Sequence, residues 1–191
     1  VDASGAPIES VPHMGTSASK IGEAVGQAIS DEAKARGWDL AGVGAIRVFY
    51  DQSPTVVDRV EGAISALEAI GFPRANIFDA PQAKTDTEAA LNAATTVLNP
   101  DTEFKHWVAF SLNDEAVLGA VRATESVGIT AEYVIGAGIG GSDSAINELK
   151  KPDPTGFVGS VVISPKRHGD ETALTAHDPR RTGAVFRRSQ A

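Results

Sequence analysis

Apolar positions in this chain fall alternately into short continuous runs and into stripes spaced three or four apart, the marks of buried strands and amphipathic helices. The clearest case is residues 105–128, KHWVAFSLNDEAVLGAVRATESVG. Trp107, Val108, Ala109 and Phe110 form the unbroken apolar run of a strand covered on both faces. Val117, Leu118, Val121 and Thr124 then recur at helical spacing, and Gly128 supplies the stop. Asn113 stands at the junction as a good N-cap, and Asp114 and Glu115 suit the positive end of the helix. Asn113 therefore has two readings. It caps its own helix, or its planar amide faces the crevice where open α/β sheets bind small molecules, at the carboxyl ends of their strands.

The same alternation runs through the rest of the chain. Residues 11–16 fit a short strand and 17–37 a helix, with Ile21, Val25, Ala28, Ile29 and Ala33 on one stripe and Gly37 ending it. Gly22 and Gly26 weaken that helix by about 1 kcal/mol each relative to Ala, and they permit close approach to a neighbour. A strand is predicted over 43–49, a helix over 54–71, a strand over 76–80 and a helix over 85–98. After the central unit come a strand over 132–136, a glycine cluster over 136–141, a helix over 142–150 and a strand over 157–163. Strands alternating with helices mean an α/β fold: a Rossmann-like parallel sheet flanked by helices, joined by right-handed crossovers.

Composition narrows the function. The chain has 191 residues, 42% hydrophobic and 22% charged, enough to bury a core. A net charge of −8 argues against nucleic acid as partner, because binding a phosphate backbone rests on Lys and Arg. No Cys is present, which excludes thiol catalysis and disulfides but leaves the compartment open. No apolar run is long enough to span a bilayer. Val1 is unusual for a primary translation product, so a processed start or a fragment is expected. Residues 178–191 gather Arg180, Arg181, Arg187 and Arg188 without a clear period and read as an atypical basic tail.

Enzymatic chemistry finds no support. Gly136, Gly138 and Gly141 satisfy G-x-G-x-x-G between a strand and a helix, yet the next strand, Ser160 to Ser164, carries no acid to hold a ribose. A tight strand-to-helix turn is the better reading, and no cofactor is expected. His13, His106, His168 and His177 lack any metal-ligand spacing, and no G-x-S-x-G elbow or P-loop lysine occurs. Arg59 is more informative. It follows a strand, near the start of a helix, where the helix dipole does not favour a cation. It either pairs with Asp58 or Glu61, or turns its rigid fork of donors into the crevice towards hydroxyl oxygens. Planar multidentate side chains of this kind, with Asn113 beside them, suit a sugar.

At these residues the chain resembles the periplasmic sugar-binding proteins of ABC transporters. The resemblance runs through Ser19-Lys20-Ile21-Gly22-Glu23, Arg36-Gly37-Trp38-Asp39, Ser65-Ala66-Leu67 and Gly71-Phe72-Pro73. It continues through Lys105-His106-Trp107, Asn113-Asp114, Val117-Leu118-Gly119 and Val121-Arg122-Ala123-Thr124-Glu125. Thr155-Gly156-Phe157, Gly159-Ser160, Ser164-Pro165 and His168-Gly169 complete it, and after Thr172 the likeness ceases. Such proteins clamp a sugar between two Rossmann-like lobes. The resemblance implies that residues 1–16 are the end of the first lobe and a hinge strand. Residues 17–163 are then the second lobe, and 164–191 a return crossing and the basic tail. Most of the first lobe has no counterpart in the chain.

It also implies that Arg59 and Asn113 contact the ligand, with Leu112 at the pocket wall and Asp143 behind the contacting groups. Thr16 stands where a pocket Met is usual, and Gly140 replaces an asparagine that bonds the sugar. The expected ligand is a monosaccharide such as L-arabinose, the expected partner an ABC transporter membrane permease. The expected protein is a periplasmic, non-enzymatic monomer. The alternative is the effector-sensing domain of a sugar-responsive transcription regulator, which shares the fold.

Overall fold

The computed structural model describes residues 17–52, 54–98, 104–164 and 166. Ser17–Ile163 forms one compact unit; the other, Val1–Thr16 with Ser164–Ala191, lies almost wholly outside the described residues. The expectations for the strand over 11–16, for Thr16, for three of the histidines and for the basic tail therefore fall outside what is described.

Helix α1 (Ala18–Ala35) opens the unit, capped by the Ser17 hydroxyl, which accepts from Lys20 N. Strand β1 (Val43–Phe49) follows, then α2 (Pro54–Ala69), β2 (Ile77–Pro81), α3 (Thr87–Val97) and β3 (His106–Phe110). The chain continues through α4 (Asp114–Ser126), β4 (Val134–Gly140), α5 (Asp143–Leu149) and β5 (Phe157–Val162). All neighbouring strands run parallel, in the order β2-β1-β3-β4-β5.

Alternate residues of each strand serve opposite faces. Trp107 and Ala109 face one core, with Ile46, Val48 and the inner sides of α3 and α4. Val108 and Phe110 face the other, with Val43, Ala45, Ile135 and the inner sides of α1 and α2. Each fully buried large apolar side chain contributes about 2 kcal/mol relative to exposure. His106 packs between rings, 4.5 Å from Trp38 and 5.5 Å from Tyr133, in keeping with a packed rather than ligating histidine.

One stretch differs from expectation. The strand predicted over 132–136 lies over Val134–Gly140, and Ala131–Tyr133 is a 3-10 turn. Gly136 and Gly138 are therefore strand residues, not parts of a tight turn. A methyl group on Gly136 would lie 2.9 Å from Val121 and 3.0 Å from Val117 of α4. The glycines let helix and strand approach closely. The turn itself is confined to Gly140 and Gly141, at φ +131° and +74°.

The α4–α5 contact carries a charge cluster. Glu148 is buried and takes Lys151 at 2.9 Å and Arg122 as partners. Burial alone would raise the Glu148 carboxyl, but donation from Lys151, Arg122 and Thr155 together holds it below its ordinary 4.5. A depressed carboxyl contributes stability above its unfolded pKa and loses it as pH falls through the folded one. Glu148→Gln is thus expected to destabilise by about 2 kcal/mol near neutrality, less than a fully buried pair because both cations are partly exposed. The deficit should shrink as urea melts are repeated from pH about 6 towards about 3. A deficit that is constant with pH would contradict it.

Candidate functional site

The strand order reverses between β1 and β3. From β1 the chain steps outward to β2, then crosses back to β3 and continues to β4 and β5. Connections leaving the carboxyl ends of β1 and β3 therefore go to opposite faces and open a crevice between them. Arg59 belongs to the first of these connections and Leu112-Asn113 to the second.

Three consecutive residues, Leu112, Asn113 and Asp114, join the whole carboxyl edge. The Leu112 carbonyl accepts from Arg59 Nη1 at 3.0 Å, which brings the guanidinium to the Leu112–Asn113 peptide. Leu112 itself is buried. Asn113 Oδ1 accepts from Ala116 N at 3.0 Å, the N-cap bond of α4, and Nδ2 donates to the Thr85 carbonyl at 3.0 Å, ahead of α3. The capping role expected from sequence is thus present. An amide has two donors and two acceptor sites, so these bonds leave one of each for a further partner. Asp114 turns the other way and binds Ser142 N and Ser160 Oγ.

Arg59 is not held by the acids beside it in sequence. Glu61 is taken by Arg47 at 2.8 Å, and Arg74 approaches it at 3.7 Å. Arg47 is in turn held by both carboxylate oxygens of Asp79. The Arg59 Nε–H is buried and has no acceptor among the described residues. A buried donor without a partner costs roughly 1–3 kcal/mol, so the Arg59 guanidinium keeps hydrogen-bonding capacity that the described residues do not use.

Of the other residues expected at the site, Gly140 ends β4 on the same edge and offers no side chain. Asp143 is exposed in the first turn of α5. Arg59, Leu112 and Asn113 are therefore joined directly, Gly140 and Asp143 lie on the rim beside them, and Thr16 lies outside the described residues.

Asp114 reads in the sequence only as a favourable charge at a helix start. The residue is fully buried, and a methyl group on Gly138 would meet its Oδ1 at 2.2 Å. Only the pairing of that glycine with this acid, 24 residues earlier (138 − 114), distinguishes a clamp from an ordinary first-turn carboxylate.

The sequence pattern of the family described as periplasmic binding proteins and sugar binding domain of LacI family matches residues 1–178. An ABC transporter L-arabinose-binding periplasmic protein from Azospirillum brasilense is 51% identical over 172 residues, covering 90% of this chain and 52% of that protein. The L-arabinose-binding periplasmic protein of Escherichia coli K12 is 41% identical over 169 residues, covering 88% of this chain and 51% of that one. Among solved structures, an ABC transporter periplasmic solute-binding protein from Actinobacillus succinogenes 130z with bound D-allose superposes at a TM-score of 0.65. It is 25% identical and covers 85% of this chain and 54% of that one. The chain spans about half the length of the curated relatives it matches. Those relatives are binding proteins, not enzymes.

Proposed function

The chain belongs to the family of periplasmic binding proteins and LacI-type sugar-binding domains, and from that premise we propose that it forms one jaw of a sugar receptor for an ABC importer. Residues 17–163 are the second sugar-binding lobe, 1–16 the end of the first lobe with a hinge strand, and 164–191 the return crossing. The ligand is a monosaccharide such as L-arabinose, the sugar named for both curated relatives. Capture takes place in the periplasm, by a monomer. Both relatives are named as periplasmic proteins and one as part of an ABC transporter, so the effector-sensing alternative is not favoured.

One observation carries the proposal: the unpartnered, buried Nε–H of Arg59, next to the Leu112–Asn113 peptide at the reversal of strand order. The guanidinium beside that peptide can donate to a sugar hydroxyl, and the same hydroxyl or its neighbour can meet the free donor and acceptor of Asn113. Arg and Asn together address several adjacent hydroxyls while the carbon face of the ring rests on an apolar wall such as Leu112. Closure of a second lobe over the ring excludes water and strengthens each of these bonds. The closed shape is then what a membrane permease reads. Gly140 contributes no hydroxyl-binding side chain, so the sugar's identity rests on the remaining contacts.

One jaw leaves half of the ring in solvent. Calorimetry of the 191-residue chain with L-arabinose and related pentoses and hexoses is therefore expected to give a Kd of about 1 mM or weaker. Micromolar binding by this chain alone would refute the requirement for two jaws.

A further inference from the structure

We propose that Asp114 is the positioning residue of the sugar cleft, holding the Gly140–Ser142 turn at a fixed place beside Asn113. The proposal rests on the sugar-receptor reading, since a rim has to be kept in place only if something binds there. The carboxylate is fully buried. Its Oδ2 accepts from Ser142 N at 2.7 Å, and its Oδ1 accepts from the Ser160 hydroxyl at 2.6 Å. That hydroxyl in turn accepts from Gly141 N at 3.0 Å. Two consecutive N–H groups of the turn are thus gathered by one acid, the second directly and the first through Ser160 of the neighbouring strand. The surroundings are cut to fit it. A methyl group on Gly138 would stand 2.2 Å from Oδ1, and one on Gly140 would stand 3.3 Å from Oδ2.

The turn needs such an anchor. Gly140 and Gly141 both have positive φ, and glycine is the residue with most conformations to lose. Left to itself, this turn would wander, and each binding event would have to order it again. Asp114 is the residue next to Asn113, so the same short segment that presents the amide also fixes the turn beside it. Asp114 acts on the sugar through the turn and does not touch it.

Two variants of the 191-residue chain, Asp114→Asn and Ser160→Ala, test this by amide hydrogen exchange and by NMR titration with L-arabinose, at a temperature where each is fully folded. In Asp114→Asn, exchange at Gly141 and Ser142 should rise about tenfold or more while Val108 in β3 keeps its protection. In Ser160→Ala, Gly141 should loosen more than Ser142, because only the relayed bond is lost. The Kd for L-arabinose should rise about tenfold in Asp114→Asn and about threefold in Ser160→Ala, reflecting the cost of reordering the turn. Unchanged protection at Gly141 and Ser142, or a uniform loss that includes Val108, overturns the proposal. So does an unchanged Kd where the unsubstituted chain binds. If the unsubstituted chain responds to no pentose or hexose, one jaw alone does not hold a sugar, and the exchange result alone decides whether Asp114 holds the turn.

Discussion

Alanine in place of Gly22 is expected to destabilise the chain by about 3 kcal/mol, although an exposed helix would gain up to about 1 kcal/mol from the same change. The opposite sign comes from the crossing of α1 and α2. A Cβ on Gly22 would lie 1.8 Å from the backbone carbonyl oxygen of Arg59 and 2.9 Å from Ala63 N. The contact is reciprocal, with Gly62 of α2 facing the Ser19 carbonyl, where a Cβ would lie 2.2 Å away. Backbone atoms cannot rotate aside as a side chain does, so the helices must separate, and packed interiors resist that. Urea melts should show the loss in full. Gly42→Ala is the control: a Cβ there meets nothing within 4 Å, and its effect should stay within about 0.5 kcal/mol. Gly22→Ala also moves the backbone that carries Arg59, so any sugar affinity should fall with stability. A melt unchanged from the unsubstituted chain would mean that α1 and α2 are not packed this closely.

Arg59→Ala is expected to have the largest effect on binding, about a thirtyfold loss of affinity, which corresponds to about 2 kcal/mol for charge-assisted hydrogen bonds to a half-exposed ligand. The fold should hardly notice. Among the described residues Arg59 makes one hydrogen bond, to the Leu112 carbonyl, and its buried Nε–H is without an acceptor. Arg59→Lys keeps the charge but not the fork, and most of the affinity should be lost with it. Titration calorimetry beside a thermal melt separates the two effects. Equal affinity in Arg59→Ala and the unsubstituted chain would remove Arg59 from the site.

The folded core was largely written in local pattern. The strand at Val43–Phe49 lies where the apolar residues place it, and Trp107 to Phe110 divide between two cores as a doubly covered strand must. Gly22 and Gly26 were legible as points of close approach, and both face α2. The glycine-rich part of β4 was not legible, because residues without side chains carry no period. Their reason lies in Val117, Val121 and Asp114 of a helix that packs over them.

The site was half legible. Arg59 stood out as a cation at the wrong end of its helix, but its release from Glu61 depended on Arg47 of β1, which pairs with Glu61 once α2 packs beside that strand. Asn113 showed its capping role plainly, whereas the bond to Thr85 required the preceding loop to fold beside it. Asp114 looked like any first-turn acid. Its burial follows from Ser142, Ser160 and Gly138, three residues that only the assembled sheet brings to it.

Arg59 and Asn113 are expected to grip one sugar together. NMR can follow the Arg59 Nε–H and the Asn113 Nδ2 resonances of this chain while L-arabinose is added. Both are predicted to shift along a single isotherm with a midpoint of about 1 mM or higher. Sugar-induced shifts elsewhere in the chain with these two resonances unmoved, or two unrelated isotherms for them, would contradict it.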